Sequence, residues 1–363
     1  MSGVFDVVVI GAGPAGSVTA RELARTGYRT LLIDKATFPR AKVCGCCLNG
    51  AAVATLERLG LGDVLHGAIP LTRVNIAAGS HSAELRLPRG VALSRDVFDI
   101  RLIEAAVRVG VEFRSGTVAK LGEAGEVWLG NEVVKARVVV LASGLTGGDA
   151  VPEVGSRIGA GVLLPSEAGP AFFTLGTIHM ATGRGGYVGL VRVEDGRLDV
   201  AAAFDPAFVK SAGGLGSAAE AVLREVNWPV PLGFATQPWK GTPALTRRSA
   251  GLGGDRLFVV GDAAGYVEPF TGEGMAWAVM SAAALAPIAA HAVRDWNPEL
   301  VTEWEQAHAR VVGHRQRMCR VVSRVLRSPT LTGVAVRALR ICPLLSRPVV
   351  AALNRPSPVG RTA

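Results

Sequence analysis

The sequence predicts an α/β protein built on a parallel sheet with covering helices, to which an antiparallel β unit and a helical C-terminal tail are added. Short apolar, β-branched runs at residues 6–10, 138–141 and 257–260 are typical of buried parallel strands. Between residues 155 and 250 the apolar positions alternate or form short runs separated by glycine turns, which indicates an antiparallel sheet over a cleft.

The first of these runs opens a strand–turn–helix–strand unit that ends at Asp34. Its turn has the spacing G-x-G-x-x-G, formed by Gly11, Gly13 and Gly16. Gly11 permits the tight turn, Gly13 lets a pyrophosphate approach the backbone, and Gly16 lets helix and strand pack closely. The free N–H groups at the helix start favour the phosphates. Asp34 lies at the end of the second strand, where a carboxylate can accept hydrogen bonds from ribose hydroxyls. We therefore interpret the unit as a dinucleotide site rather than an ordinary βαβ unit.

A second glycine-rich loop follows the strand at residues 257–260. Gly261 and Asp262 end that strand, and Pro269 precedes the run Gly272-Glu273-Gly274-Met275, which opens a helix. Open α/β sheets bind ligands at the carboxyl ends of their strands, and a helix N-terminus there stabilises negative charge. The sequence therefore predicts a second half of the same site.

Three further helices are predicted, although the sequence gives few start and stop signals for them. Residues 94–109 form an amphipathic pattern with Ser94 as N-cap, and residues 299–326 are expected to form one long helix. Residues 275–293 carry no charged side chain over nearly the ~20 residues that a membrane span needs. Because this run is rich in alanine and contains Pro287, a buried core helix is the preferred interpretation.

Composition predicts a protein with a large core and a cytoplasmic location. The chain has 363 residues, of which 49% are hydrophobic and 19% charged, enough for two domains or one composite domain. The first strand begins within about five residues, which leaves no room for a secretory signal peptide. Five cysteines, three of them at Cys44, Cys46 and Cys47, do not form a disulfide framework and favour a reducing compartment.

The net charge of +9 belongs to the C-terminal part of the chain, where eleven arginines and no acidic residue follow Glu305. Two interpretations stay open for this tail. In the preferred interpretation, its apolar faces cap the substrate unit or form a dimer. In the other interpretation, they bind a membrane surface or an acyl carrier, and membrane binding would make the protein peripheral to the membrane. Nucleic-acid binding is not expected, because neither interleaved aromatic residues nor a recognisable module is present. The oligomeric state is not predicted.

Taken together, these motifs resemble the FAD-dependent oxidoreductases that include aromatic-ring hydroxylases, flavin halogenases and geranylgeranyl reductases. The resemblance rests on the two glycine loops with Asp34, on Ala142-Ser143-Gly144 and on Gly261-Asp262, and it covers residues 5–325. The run Asp34-Lys35…Phe38-Pro39-Arg40…Lys42-Val43-Cys44-Gly45 is closest to the geranylgeranyl-reductase branch. It implies a Rossmann-like FAD-binding domain of the glutathione-reductase type (residues 1–72, 93–154 and 251–325), a substrate domain (73–92 and 155–250) and a basic helical tail (326–363).

The resemblance also implies which residues contact FAD. Asp34 would hold the adenosine ribose, Asp262 the ribityl chain, and Arg95 the phosphates or ribityl, while Arg40 would line the cofactor. For Arg40 and Arg95 the alternative is a surface cation. The full set of expected FAD contacts is Gly11, Gly13, Pro14, Ala15, Gly16, Asp34, Lys35, Arg40, Arg95, Gly261, Asp262, Gly272, Glu273, Gly274 and Met275.

The expected reaction is a monooxygenase-type hydroxylation of a hydrophobic small molecule that is aromatic, polyketide-like or isoprenoid-like. Prenyl reductases of the family carry Tyr-x-Trp-x-Phe-Pro, of which this chain keeps only Tyr187, and the Trp-x-Trp-x-Ile-Pro run of the halogenases is not matched. Because a second G-x-G-x-x-G is missing, NAD(P)H is expected to act as a transient reductant, or reduction comes from a partner. The alternatives are reduction or dehydrogenation of a C=C bond and a non-catalytic flavin-binding protein.

Candidates for catalysis are few. The weak candidates for catalysis are Cys44, Cys46, Tyr187 and Glu273. The clustered cysteines are compatible with a functional thiol or a covalent flavin link, but we prefer the interpretation that they fill apolar space compactly. A metal site is not expected, because C-x-C-C alone supplies neither a fourth ligand nor the usual spacing. Lone histidines such as His179 are more often structural than proton donors.

Overall fold

The computed structural model describes residues 4–268, 270 and 272–355. Its strands in chain order are β1 (Phe5–Ile10), β2 (Thr30–Ile33), β3 (Cys47–Asn49), β4 (Ile69–Pro70), β5 (Arg73–Ala78), β6 (His81–Arg86), β7 (Gly90–Ala92), β8 (Glu112–Arg114), β9 (Ala119–Leu121), β10 (Glu126–Leu129), β11 (Glu132–Leu141), β12 (Val151–Pro152), β13 (Ile158–Leu164), β14 (Thr177–Gly183), β15 (Gly186–Arg192), β16 (Leu198–Phe204), β17 (Lys240–Ala244), β18 (Arg247–Arg248), β19 (Gly253–Gly254) and β20 (Leu257–Val259). Its helices are α1 (Pro14–Arg25), α2 (Gly50–Arg58), α3 (Arg95–Val107), α4 (Pro206–Ala212), α5 (Leu215–Glu225), α6 (Gly274–Arg294), α7 (Glu299–His308), α8 (His314–Val325), α9 (Pro329–Ile341) and α10 (Arg347–Asn354).

The parallel sheet has the strand order β19-β20-β11-β1-β2-β8, and β9 and β10 extend β11 as an antiparallel ribbon. The three apolar runs predicted as parallel strands are neighbours, since β1 pairs with β11 and β11 pairs with β20, both in parallel. Apolar side chains fill both faces, with helices α1, α2, α3, α6 and α7 contributing to the core on one of them. Residues that follow β1, β2, β11 and β20 therefore meet at one edge.

The second sheet has the order β17-β13-β16-β15-β14-β5-β6 and is mixed. The antiparallel sheet predicted between residues 155 and 250 is confirmed, because β13, β14, β15, β16 and β17 pair with one another in antiparallel fashion. Its pairs are antiparallel except for β5 and β14, which run in parallel. The two strands are far apart in the chain, so no hairpin turn sets their relative direction. Helix α5 packs on the outer face of this sheet, and the inner face looks toward the parallel sheet. The boundaries of the two domains and the tail stay predictions.

Two predicted helices differ from expectation in one feature each. Ser94 is the N-cap residue of α3, as predicted, but its hydroxyl donates to the Glu194 carboxylate and makes no capping bond. The long helix expected over residues 299–326 contains a π-helical turn at Ala309–Gly313, between α7 and α8. Helix periodicity does not report either feature, because a remote carboxylate and a single wide turn leave the apolar spacing almost unchanged.

The prediction of a buried core helix over residues 275–293 is confirmed. Within the described ranges, α6 is the helix that is long and apolar enough to span a membrane by length and composition, and 83% of its most apolar window is buried inside the protein. It packs on α1, α2 and α7. This burial explains the apolar run without a bilayer.

The turn between β1 and α1 is packed so closely that two of its glycines cannot carry a side chain. Gly11 has a φ of +110°, and a Cβ there would lie 2.3 Å from the carbonyl oxygen of Ala142. A Cβ at Gly16 would lie 1.8 Å from the carbonyl oxygen of Gly11. The predicted roles of these two glycines, a tight turn and close helix–strand packing, are confirmed.

We predict that Gly16→Ala lowers the free energy of unfolding by about 2 kcal/mol or more, because the added methyl group forces α1 away from the turn. Gly333→Ala in α9 is the matched control, since a Cβ at Gly333 meets no atom within 4 Å. The control should leave stability unchanged or raise it by up to about 1 kcal/mol. Urea unfolding followed by circular dichroism measures both variants, and equal effects would contradict the packing argument.

Candidate functional site

A cavity of about 1570 Å³ lies between the carboxyl edge of the parallel sheet and the inner face of the mixed sheet. Its lining includes Gly13 of the first glycine loop and Gly272, Gly274 and Met275 of the second. The two loops are some 250 positions apart in the chain, and the fold brings them to one space. The volume exceeds the roughly 300–1,000 Å³ of common ligand pockets, so a large cofactor and a second molecule can share it.

Gly13 differs from its neighbours because it faces open space. A Cβ at this position would meet only Nη2 of Arg40, at 3.9 Å. Gly13 is the N-cap residue of α1, and no side chain caps that end of the helix. Pro14 and Ala15 follow it in the cavity wall, whereas Gly16 is enclosed in the packing between helix and turn. The open backbone and the uncapped helix end are suited to an anion, which the motif predicts at this place.

Asp34 is held rigidly at the end of β2. Its carboxylate accepts the backbone N–H of Ala12 at 2.8 Å and that of Ala36 at 2.8 Å, and Nη2 of Arg40 lies 3.4 Å away. Lys35 is exposed at the cavity margin, with Nζ 3.4 Å from the Thr146 hydroxyl. Asp34 also lines the cavity, so its orientation is fixed by backbone groups before a ribose arrives.

Three cations, Arg40, Lys42 and Arg95, line the same half of the cavity. Arg95 is buried, and its guanidinium donates to both carboxylate oxygens of Asp99 at 2.8 and 2.7 Å, one helical turn further along α3. Burial lowers the pKa of Lys42, the Arg95 charge lowers it further, and the Asp262 carboxylate opposes both effects. This positive wall is electrostatically suited to a diphosphate.

Two buried polar atoms in this wall have no hydrogen-bond partner among the described residues. They are Nε of Arg40 and Oγ of Ser143, and both residues line the cavity. Buried polar groups are normally paired, so unpaired donors on residues that line a cavity are compatible with a polar ligand beside them. Together with the open cradle at Gly13, they show that the residues present fit an FAD molecule.

Asp262 lines the cavity, whereas Glu273 in the second glycine loop is buried away from it. Asp262 follows Gly261 at the end of β20 and lines the cavity; burial raises the pKa of its carboxyl group, and Lys42 and Arg95 act against this rise. Glu273 is fully buried off the cavity, where it accepts Nη1 of Arg315 at 2.8 Å and the Cys319 thiol at 3.3 Å. Glu273 therefore orders the start of α6, and as a catalytic candidate it does not reach the cavity. Pro269 lies outside the described residues.

The three clustered cysteines have different environments. Cys44 and Cys47 line the cavity, whereas Cys46 is buried behind it, in a loop that bends at Cys46 with a φ of +50°. A hydrogen bond from the Cys46 thiol, helped by the nearby Arg95 charge, lowers the pKa of Cys44 to about 6. The pKa of Cys46 is raised by its hydrogen bond to Cys44 and by burial, and burial raises that of Cys47. The pKa of the Cys44 thiol is thus lowered while the pKa values of its two neighbours are raised, and the role of the cluster stays a prediction.

The inner face of the mixed sheet contributes Tyr187 to the cavity. Its ring packs edge-on against Phe270 at 5.0 Å between centroids, and burial raises the pKa of its phenol, which stays protonated. His179 lies on the opposite face of the sheet, against Phe173 and Trp228, so it cannot serve as a proton donor in the cavity. Strand alternation explains the difference, because Ile178 and Met180 on either side of His179 both line the cavity.

A large part of the cavity wall is free of charge, although Lys240 of β17 also lines the cavity. Among the described lining residues, those from β5, β6, β14 and β15 and from the C-terminal helices include no charged side chain; they are Val74, Ile76, Leu85, Leu87, Ile178, Met180, Tyr187, Gly189, Leu190, Val191, Val321, Val322, Val325, Leu326, Thr332, Ala335, Val336, Ala338, Leu339, Leu345, Ser346, Val349, Val350 and Leu353. Helix α9 packs on β5 and β6, which confirms the preferred prediction that the tail caps the substrate side. The sequence analysis named Lys42 and Ser143 within motifs without assigning them a contact, and it did not indicate which tail residues line the cavity, since only the tertiary fold brings them there.

Comparisons with known proteins agree with this geometry. A family model described as lycopene cyclase protein matches residues 6–177. Digeranylgeranylglycerophospholipid reductase 1 of Methanothermobacter thermautotrophicus is 30% identical over 355 residues, which cover 87% of this chain and 82% of that protein. Menaquinone reductase of Mycolicibacterium smegmatis is 27% identical over 378 residues, covering 92% and 91%.

The fold itself matches a solved structure. A geranylgeranyl bacteriochlorophyll reductase-like protein from Thermoplasma acidophilum superposes with a TM-score of 0.75 at 19% identity, over 92% of this chain and 91% of that chain. The glycine loops, the cavity they share and the sequence relatives that span most of the chain agree with one another. The chain belongs to the FAD-dependent oxidoreductases, in the geranylgeranyl-reductase-like branch.

Proposed function

We propose that the protein is an FAD-dependent reductase that hydrogenates a C=C bond in an isoprenoid-bearing lipid. The observation that carries this proposal is the uncharged half of the cavity, which adjoins the charged half that suits the nucleotide. An apolar chain gives up no hydrogen bonds to water when it enters such surroundings, whereas a polar substrate gives up some of its own. The two relatives that align over most of the chain are named as reductases of a geranylgeranyl lipid and of menaquinone, which also carries an isoprenoid chain. We therefore rank C=C reduction ahead of hydroxylation.

The residues assigned to FAD follow from the charged half of the cavity. The diphosphate would lie at the N-terminus of α1 against Gly13, the adenosine ribose at Asp34, and the ribityl chain near Asp262. The backbone of Gly272, Gly274 and Met275 would face the ring system. Reduced FAD, when bound, supplies a hydride. NAD(P)H is proposed as a transient reductant, because the described fold offers it no second glycine cradle of this type.

The protein's own groups would exclude water and supply the proton. The apolar walls keep solvent from the substrate chain. Tyr187 adds a phenol to the cavity wall; burial and the nearby Glu268 carboxylate raise its pKa, the Arg157 guanidinium opposes this rise, and the phenol stays protonated. We propose Tyr187 as the proton source for the second carbon of the reduced bond. Cys44, as a thiolate near Arg95, would contribute negative charge and no proton.

The decisive experiment mixes anaerobically reduced holoprotein with menaquinone or with a geranylgeranyl glycerolipid in detergent. The expected result is flavin reoxidation without oxygen and a product that has gained two hydrogen atoms in its chain, measured by absorbance and mass spectrometry. Tyr187→Phe should slow this turnover while leaving FAD affinity unchanged. No anaerobic reoxidation, together with an oxygen atom in the product only in air, would favour a hydroxylase instead. A protein that takes up no FAD would favour the non-catalytic class.

We predict that Gly13→Asn weakens FAD binding at least about tenfold, which is 1.4 kcal/mol, and leaves the apoprotein as stable as the wild type. Gly13 has extended backbone angles (φ −74°, ψ −178°), and asparagine is a favoured N-cap residue, so the fold tolerates it. Its side chain would fill the open cradle instead. Flavin fluorescence titration and apoprotein unfolding test the two parts separately. Wild-type affinity in the variant would show that no phosphate lies there.

We predict that Cys44 is alkylated by iodoacetamide with a pH midpoint of about 6, because the Cys46 thiol and Arg95 stabilise its thiolate. Cys46→Ala should move the midpoint upward, whereas Cys46→Ser retains a donor and should keep it low. Both variants carry a side chain at the same positive φ, so backbone strain affects the two equally. Mass spectrometry of the Cys44 peptide across pH gives the profile. A wild-type midpoint near the ordinary thiol value of about 8.5 would contradict the assignment.

A further inference from the structure

The C-terminal helices have an inner face that lines the cavity and an outer face that is both apolar and basic. On the outer face, Leu331, Val334, Ile341, Leu344 and Leu345 are each more than half exposed; these five residues are called the apolar ridge below. A capping element of an ordinary globular protein would direct such residues inward. An exposed apolar cluster of this kind marks an interaction surface.

The ridge adjoins an opening of the cavity. Val321, Leu345 and Val349 line the cavity and are also 59%, 58% and 38% exposed, so they stand where its apolar half reaches the surface. The rim of this opening is therefore hydrocarbon, and one of its residues, Leu345, belongs to the ridge itself. A water-soluble substrate would gain nothing from such a rim.

Unpaired arginines flank the ridge. Arg324, Arg337, Arg340 and Arg347 are exposed, and none of them forms an ion pair within the described part of the chain. No acidic residue follows Glu305 in the sequence, so nothing on this segment compensates their charge. Arginines beside exposed leucine, isoleucine and valine on one helical face are the pattern of an element that lies in the interface of an anionic bilayer.

The segment is fixed to the body of the protein on its inner side. The Asn354 side chain accepts the backbone N–H of Gly50 at 2.8 Å, and Nη1 of Arg315 donates to the carbonyl oxygen of Leu353 at 2.8 Å. These contacts hold α10 against α2 and leave the ridge facing outward. The outer face is thus a preformed surface.

We propose that the apolar ridge and its flanking arginines bind the surface of an anionic lipid bilayer, so that the cavity opens into the acyl region. A second copy of the chain is disfavoured on this face, because the same uncompensated arginines would meet each other. Bilayer binding is independent of the reaction. The entry of an isoprenoid lipid through the rim rests on the proposed function.

Vesicle flotation of the full-length holoprotein tests the binding. Vesicles of phosphatidylcholine with phosphatidylglycerol should carry the protein, phosphatidylcholine alone should carry much less, and salt should weaken the interaction. The triple variant Leu331→Ser, Val334→Ser, Ile341→Ser and the double variant Arg337→Glu, Arg340→Glu should each lower the bound fraction at least about tenfold.

The matched controls remove equally exposed groups elsewhere. Val107→Ser, Val154→Ser, Leu232→Ser and, separately, Arg58→Glu, Arg108→Glu should float as the wild type does. Ridge variants that float as well as the wild type would overturn the proposal, and so would a ridge-dependent dimer or capture by an acidic acyl carrier protein without vesicle binding.

A second readout separates this proposal from the proposed function. Ridge variants should turn over a detergent-dispersed isoprenoid at the wild-type rate and a vesicle-embedded one more slowly. If no isoprenoid is turned over in any form, the proposed function fails while flotation still decides the binding. Equal rates on both substrate forms would refute entry through the rim.

Discussion

The close approach of the β1–α1 turn to the end of β11 is the constraint on which the site depends. Gly11 and Gly16 leave no space for a Cβ between the turn, the helix and the Ala142 carbonyl. This contact sets where α1 begins, and Gly13 is then the residue of the turn left open to the cavity. A dinucleotide cradle is therefore a consequence of packing that is complete before any ligand arrives.

Electrostatics divides the cavity into two halves with separate tasks. Asp34, whose carboxylate is held by backbone groups, and Asp262 lie with three cations in the half suited to a nucleotide. The other half has apolar walls and a protonated phenol. Cys44 belongs to the charged half, where a donated hydrogen bond and a nearby guanidinium stabilise its thiolate. Ligand and substrate can thus be discriminated by polarity within one space.

Arg315 links the second glycine loop to the C-terminal tail. Its guanidinium donates to Glu273 at the start of α6 and to the carbonyl oxygens of Leu353 and Arg355 at the end of α10. Glu273, which the sequence analysis assigned to a flavin-binding loop, is thus a structural partner of the tail. The tail, which the sequence marks by its arginines and its apolar faces, lines the apolar half of the cavity and exposes a basic face.

The sequence alone determined the parallel strands, the two glycine loops and the acid at Asp34, because these features depend on spacing within a few dozen residues. It also indicated the capping role of the tail, but not the parallel pairing of β5 with β14, the partner of Ser94 or the π-helical turn. Only the tertiary structure decided that Asp262 faces the cavity while Glu273 does not, and that Cys44 rather than Cys46 lines it. Those outcomes depend on burial and on partners up to hundreds of positions away, which no local pattern records.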